Sequence, residues 1–243
     1  MKNIGFIWKR EVRAYFTTIV AYIVVTLFLL MAGALFWLGF FNDFTVLSLR
    51  SFFQQAPLFL ALFAPAVTMG LLATEKRDGT LELMMTMPVS DFQIVLGKFL
   101  AACTLLFIVL LMTTPYAYTL SRLGDFDWGA TLAGYAGLML LASTYAAIGL
   151  MTSSWTRHQV IAVLGALYIC LALYVLGMFV GLAEQILGGG AASVAAVLQY
   201  LSTSYHFENF ARGVIDLRDV VYYFSVIAVC LVVAQASIAS RRW

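Results

Sequence analysis

The sequence predicts an all-α membrane protein with six transmembrane helices. Of its 243 residues, 63% are apolar and only 11% are charged, and the mean hydropathy is +0.95, well above the range of soluble globular domains. The uncharged runs are long enough for the roughly 20 residues that a helix needs to cross the hydrocarbon core. We therefore expect one transmembrane domain over residues 1–243, with spans at 18–41, 54–75, 98–121, 128–153, 159–183 and 219–240.

Residues 1–17 form the first predicted element, an amphipathic helix in the membrane interface. At 100° per residue its apolar side chains gather on one side, and Lys9, Arg10 and Arg13 gather on the other. Basic residues of such a helix face lipid headgroups or a partner. Glu11 falls inside the apolar arc, so we expect it to pair with a basic residue on a neighbouring cytoplasmic element.

The distribution of Lys and Arg predicts the orientation, because cytoplasmic loops carry the excess of these residues. If the N-terminus is cytoplasmic, ten of the 14 basic residues lie on that side and only Arg50, Arg122, Arg212 and Arg218 lie outside. The first apolar run is too long for a cleavable signal peptide. We expect a multi-pass protein of a bacterial inner (cytoplasmic) membrane with both termini in the cytoplasm.

Residues 76–97 connect the second and third spans and form the one long cytoplasmic loop. Glu75 ends the second span, where its charge opposes the helix dipole, so it should have a partner elsewhere. Gly79 permits a turn, Thr80 is a plausible N-cap with Glu82 in the first helical turn, and Pro88 ends this short helix. Ser90 with Gln93 forms a capping-box pattern that starts the next helix.

This helical elbow is predicted to expose an apolar surface on the cytoplasmic face. The surface comprises Leu81, Leu83, Met84, Met85 and Met87. Methionine side chains adapt to a partner's groove, so the pattern suits a contact that persists while the partner moves. The alternative is that these residues fold back on the bundle or enter the lipid.

A broken apolar segment precedes the last span. It is divided by Gly188, Gly189 and Gly190, and this favours a re-entrant or interfacial hairpin over residues 184–218. The alternative is a seventh span, which would place the C-terminus on the other side of the membrane. The candidates for an outer gate or a partner contact are Gly188, Gly189, Gly190, His206, Glu208, Arg212 and Asp216. Glu208 and Arg212 are spaced to pair, Asp219 could cap the last span, and His206 is expected to be a hydrogen-bonded residue beside aromatic rings rather than a ligand.

The sequence contains no motif that predicts catalysis, and we expect neither catalytic residues nor a metal site. The isolated Cys103, Cys170 and Cys230 lie in spans and have no metal-ligand spacing. There is no phosphate-binding G-x-x-x-x-G-K-[ST] loop, so this chain should not hydrolyse ATP. The spans are nearly free of charge, which argues against a proton- or ion-coupled carrier.

The loop after the second span resembles the cytoplasmic signature of ABC type-2 exporter permeases. The resemblance is carried by Glu75, Lys76, Arg77, Gly79, Thr80, Glu82, Pro88, Gly97 and Lys98, and the layout of the whole chain agrees with it. The segment "HFENFARGVIDLRDVVYYFS" looks most like the gliding-motility-associated branch, whose relatives include permeases linked to copper delivery for nitrous oxide reductase.

The resemblance implies a type V ABC exporter-like fold in which the loop is a coupling helix. Two permease subunits, identical or homologous, would assemble with two copies of a separate cytoplasmic ATPase. The ATPase would bind ATP and Mg. The resemblance also allows a periplasmic or membrane-anchored accessory protein in the assembly. No nucleic acid is implied. The coupling residues are then Glu75, Lys76, Arg77, Gly79, Thr80, Leu81, Glu82, Met84, Met85 and Pro88, and of these Leu81, Met84 and Met85 would fill the ATPase groove while Arg77 and Glu82 fix its register.

Two other functions stay open at the level of sequence. The first is a scaffold of the same architecture that passes ATPase motion to a periplasmic protein and moves no solute, and the second is a secondary carrier. An exporter needs a continuous polar path, for which the candidates are Thr113, Thr114, Tyr116, Tyr118, Ser143, Thr144 and Tyr145.

Kinks in the second and third spans are predicted at Pro57, Pro65 and Pro115. The spacing of Gly177 and Gly181 permits close approach of another helix.

Overall fold

The computed structural model describes residues 2–42, 49–85, 89–123, 126–187 and 192–240. This described part forms twelve α-helices: α1 (Lys2–Thr17), α2 (Ile19–Asn42), α3 (Arg50–Thr68), α4 (Gly70–Arg77), α5 (Thr80–Met85), α6 (Asp91–Leu111), α7 (Thr114–Ser121), α8 (Trp128–Trp155), α9 (Gln159–Leu187), α10 (Ala192–Leu201), α11 (Thr203–Ala211) and α12 (Leu217–Ala239).

Five helical segments of the described chain are long and apolar enough to cross a membrane. They are Phe52–Arg77, Asp91–Ser121, Trp128–Trp155, Gln159–Gly177 and Leu217–Ala239. A sixth is obtained if the bent pair Asn3–Thr17 and Ala21–Trp37 is counted as one span. The prediction of an all-α membrane protein is confirmed, with five or six candidate spans among the described residues.

Two of the spans are interrupted close to prolines. The break between α3 and α4 lies at Met69, one turn after Pro65, whose carbonyl accepts from the Met69 N–H at 2.9 Å. The break between α6 and α7 precedes Pro115, which occupies the first turn of α7, where a missing N–H costs nothing. Pro57 interrupts nothing, since α3 continues through it.

The N-terminal helix α1 lies across the bundle and turns by 73° into α2. It packs along α6, with Ile7 buried against Gly97, where a Cβ atom would stand only 2.8 Å from Ile7 Cγ2. Phe6 and Phe16 are exposed, as expected for aromatic side chains of a helix that contacts lipid. Gly97 therefore allows α1 to approach α6 closely.

Helix α8 is the centre of the bundle and contacts α3, α6, α9, α11 and α12. Its buried face includes Tyr145, Leu138, Leu141 and Ile148, all 1% exposed or less. Cys103, Cys170 and Cys230 are buried free thiols in the surrounding helices. Gly177 approaches α11 within the chain, because a Cβ atom there would stand 2.5 Å from Ser204 Oγ.

A methyl group at Gly149 should destabilise the bundle. A Cβ atom at this position would overlap Thr68 Oγ1 and lie 3.0 Å from Thr68 Cβ, and Thr68 is fully buried. We expect Gly149→Ala to cost about 1–3 kcal/mol, measured as a lower midpoint of thermal unfolding in detergent. The added substitution Thr68→Ala should restore stability. Gly165→Ala is the control, since the atom nearest to its new Cβ would be Thr152 Cγ2, 3.8 Å away. Equal midpoints for the two glycine variants would contradict this packing.

Candidate functional site

Four charged side chains meet where α1, α4 and α6 come together. The charge cluster consists of Arg10, Glu11, Glu75 and Lys98. Lys98 Nζ lies 3.1 Å from Glu11 Oε1 and 2.8 Å from Glu75 Oε1, and Arg10 Nη2 lies 2.5 Å and 3.0 Å from the same two oxygens. The cluster therefore ties three helices together at the end of the bundle that carries residues 76–97.

The members of the charge cluster differ in exposure. The Lys98 side chain is 1% exposed, Glu11 and Glu75 are 12% and 17% exposed, and Arg10 is half exposed. Burial by itself would raise the pKa of Glu11, but the charges and hydrogen bonds of Lys98 and Arg10 outweigh it, so this pKa lies below its ordinary value. Glu11 therefore forms its ion pairs as a carboxylate.

The expectation that Glu11 and Glu75 have partners outside their own helices is confirmed. Glu11 projects from the face of α1 that packs on α6, and Lys98 lies one turn after Ile94 on the buried face of α6. The same face of α1 is held by two further hydrogen bonds, from Trp8 Nε1 to Thr104 Oγ1 and from Tyr15 Oη to the Val67 carbonyl. These contacts fix α1 against both α6 and α3.

The segment between α4 and α6 follows the predicted turn chemistry in part. Gly79 has a φ of 72°, a conformation that glycine adopts without strain. Ser90 and Gln93 form the predicted capping box at the start of α6. Thr80 is the first residue of α5 rather than the cap before it, and its hydroxyl donates to the Glu75 carbonyl at 3.4 Å. Pro88 lies outside the described residues.

Two residues assigned to the ATPase-coupling site face inward in the structure, and the predicted exposure of Leu81 is wrong. Leu81 is 4% exposed and belongs to the hydrophobic core, because α5 folds back on the bundle. Lys76 is 7% exposed and donates to the Ser154 carbonyl of α8. Arg77 and Thr80 are exposed, and Met84 is partly exposed. The side chains of Glu82, Leu83 and Met85, and all of Met87, lie outside the described part.

Met84 connects α5 to the charge cluster. Its Sδ atom lies 3.5 Å from Arg10 Nη2, the same nitrogen that contacts Glu75. Lys9 and Arg13 are exposed on the other face of α1. Arg10 thus contacts both α4 and α5, and α1 is the third helix in this junction.

Lys98 is the central residue that the sequence reading did not assign to the site. It belongs to the loop pattern and directly precedes the apolar run that starts at Phe99, but nothing in its sequence neighbourhood predicts which groups it pairs with. The relevant signals in the sequence are two carboxylates in unfavourable positions, Glu11 in an apolar arc and Glu75 at a helix C-terminus, and one lysine at the start of an apolar helix. Only the packing of α1 on α6 shows that the three groups meet.

At the opposite end of the bundle, His206 is buried in a ring of aromatic side chains. It stacks on Tyr222 with ring centroids 4.0 Å apart, and its Nδ1 lies 2.6 Å from Asp219 Oδ1. Its Nε2 lies 3.0 Å from the Tyr200 carbonyl, and Asn209 Nδ2 donates to Asp219 Oδ2 at 2.8 Å. The prediction of a hydrogen-bonded histidine beside aromatic rings is confirmed.

Asp219 does not cap the last helix as predicted. Helix α12 begins two residues earlier, so Asp216 is the cap and its carboxylate accepts from the Arg218 N–H at 2.9 Å. Asp219 is 4% exposed and joins α12 to α11 through His206. The predicted pair of Glu208 and Arg212 is present on the exposed surface of α11. Gly188, Gly189 and Gly190 lie outside the described residues.

The polar residues proposed as a path do not converge. The hydroxyls of Thr113, Thr114, Ser143 and Thr144 donate to backbone carbonyls three or four residues earlier in the chain, which is the usual arrangement of hydroxyl side chains in apolar helices. Thr114 and Tyr118 are exposed on the outer surface, whereas Tyr145 is fully buried and bonds Thr203 at 3.0 Å. This set therefore forms no continuous lining in the structure.

Comparison with known proteins identifies the family. Residues 43–240 match the family model described as "ABC-2 family transporter protein". No curated protein matches the chain. The match covers most of the sequence and includes α3 to α12, so both the 76–97 segment and the His206 region fall within it. The chain is a multi-pass membrane protein of the ABC-2 transporter family, whose members are transmembrane permease subunits.

Proposed function

We propose that this chain is the membrane subunit of an ATP-driven exporter whose ATPase is a separate protein. The ATPase binds ATP and Mg and docks on the 76–97 segment, and two permease and two ATPase subunits make the complete transporter. The charged end of the bundle then faces the cytoplasm, with both termini on that side of a bacterial inner membrane. The family match and the excess of basic residues at this end support the proposal.

The charge cluster is the observation that carries the coupling mechanism. Arg10 contacts Met84 of α5 and Glu75 of α4, and Lys98 joins both carboxylates to α6. A push on α5 is thereby transmitted to α1 and to the start of the third span. Because Lys98 is buried and its pairs are short, separating these helices would leave a charge without a partner, so they move together as one body.

The docking proposal is tested by copurification from native membranes. The proposed contact surface comprises the exposed Arg77 at the end of α4 and the partly exposed Met84 of α5, together with Glu82 and Met85, whose side chains lie outside the described part. We expect Met84→Glu with Met85→Glu, and separately Arg77→Glu, to reduce recovery of the ATPase at least severalfold, since a charge in a buried apolar contact is costly. Arg122→Glu, at an exposed arginine of the other end, is the control. Undiminished ATPase in both test variants would contradict the docking surface.

A mechanotransmitter that moves no solute is the second candidate. It is favoured by the scattering of the polar residues and by the resemblance of residues 206–225 to the gliding-motility-associated branch. In this function α10 and α11 contact a periplasmic or membrane-anchored protein, and Glu208, Arg212 and Asp216 lie on that surface. ATP-dependent release of an amphipathic compound from reconstituted vesicles would exclude it. Transport that continued without nucleotide or ATPase would point to a secondary carrier instead.

A further inference from the structure

A cavity of about 360 Å³ lies under the elbow between α1 and α2. Its walls come from α1, α2, α3, α4 and α6, with Gln159 at the start of α9. Ala14 and Thr18 line it and are also exposed on the outside of the protein, so the cavity opens beside the elbow. Ile19, Tyr22 and Ile23, the exposed apolar residues next to this opening, place it at the membrane surface.

The lining has a polar end and an apolar end. Glu11, Glu75 and Lys98 line one end, and Ala21, Val24 and Leu105 line the other. The polar end thus carries two carboxylates and one ammonium group. Such a lining suits an amphiphile, because a fully polar solute would leave the apolar wall in contact with polar groups.

The polar end also has one acceptor without a donor. Arg10 and Lys98 both contact Glu75 Oε1, whereas Glu75 Oε2 is buried and has no hydrogen-bond partner. A buried carboxylate oxygen without a donor is unfavourable. The terminal torsion of glutamate is broad, so a small rotation of the carboxylate turns this oxygen toward the cavity. A group with N–H donors and positive charge would satisfy it best.

We propose that this cavity binds the headgroup of a phospholipid with a primary ammonium, such as phosphatidylethanolamine, from the adjacent leaflet. The ammonium donates to Glu75 Oε2, the glycerol region lies against Ala21, Val24 and Leu105, and the acyl chains leave at the elbow into the bilayer. The bound lipid fills the space between α1 and α4 and supports the charge cluster. This site is independent of whether the protein exports a solute.

Lipid-dependent thermal unfolding tests the proposal on the full chain, purified with any subunit that accompanies it. Delipidated protein in detergent is titrated with phosphatidylethanolamine or with phosphatidylcholine of the same acyl chains, which has no N–H donor. We expect a saturable rise in the unfolding midpoint with phosphatidylethanolamine, and half-saturation at about tenfold higher concentration with phosphatidylcholine. Equal half-saturation for the two lipids would overturn the proposal.

Two variants separate headgroup recognition from general lipid effects. Glu75→Gln should abolish the preference between the lipids, and Val24→Phe should weaken binding of both by filling the apolar end. Val229→Phe, at an exposed position of α12 away from the cavity, should leave the titration unchanged. Unaltered binding in Val24→Phe would place the lipid elsewhere. A response to free ethanolamine equal to that of the lipid would show a site for soluble amines and overturn the lipid assignment.

Discussion

Lys98→Met is expected to lower the stability of the protein by about 3–5 kcal/mol, the usual cost of removing one partner from a buried ion pair. The substitution keeps most of the side-chain volume but leaves Glu11 and Glu75 with the half-exposed Arg10 as their remaining cluster cation. Both carboxylates are largely buried, so they cannot regain hydration without opening the contact between α1 and α6. The midpoint of thermal unfolding in detergent measures this loss.

Two further variants make the Lys98 result specific. Lys9→Met removes an exposed lysine from α1 and should change stability by no more than about 0.5 kcal/mol. The triple variant Lys98→Met, Glu11→Gln, Glu75→Gln should recover part of the loss, because no buried charge is then left unpaired. A Lys98→Met protein that unfolds at the wild-type midpoint would show that the charge cluster does not hold these helices together.

His206→Leu is expected to produce the second large effect, a loss of about 3 kcal/mol or more. The substitution removes the 2.6 Å contact between His206 Nδ1 and the carboxylate of Asp219, a residue that is 4% exposed. Asn209 Nδ2 then remains as a hydrogen-bond donor to this carboxylate. The stacking on Tyr222 is lost as well. Because this contact joins α11 to α12, we also expect faster proteolysis of the chain between residues 187 and 217.

The protein supplies its own control for this variant. His158, its other histidine, is exposed, and His158→Leu should leave both the unfolding midpoint and the proteolysis pattern unchanged. His206→Leu with Asp219→Leu should be more stable than His206→Leu alone, since the pair is then replaced by apolar groups. If the two single histidine variants behave alike, His206 does not hold α11 against α12.

The sequence predicts the helices well because apolar runs and capping residues are local signals. The capping box of Ser90 and Gln93 and the turn at Gly79 are decided by a few neighbouring residues, and both are confirmed. The need of Glu11 and Glu75 for partners also follows from their positions, since each charge conflicts with its own helix. Local pattern therefore identified which side chains required a long-range contact.

Residue contacts across helices could not be predicted in the same way. The identity of Lys98 as the shared partner depends on the angle of α1 across α6, which Gly97 permits and no local pattern reveals. No local pattern predicts that Leu81 of α5 is buried in the core or that Lys76 of α4 reaches the Ser154 carbonyl of α8. The prediction of Asp219 as a cap is wrong because the apolar pattern starts the last span at residue 219, whereas α12 already begins at Leu217.

Docking of an ATPase on the 76–97 segment is tested by photo-crosslinking in native membranes, with a photoreactive residue in place of Met84. We expect a covalent adduct with a protein that contains a G-x-x-x-x-G-K-[ST] loop, with a yield that changes when ATP is added. The same photoreactive residue at the exposed Tyr205 of α11 should give no such adduct. A position-84 residue that labels only lipid, or labels no ATPase, would contradict docking of an ATPase on the 76–97 segment.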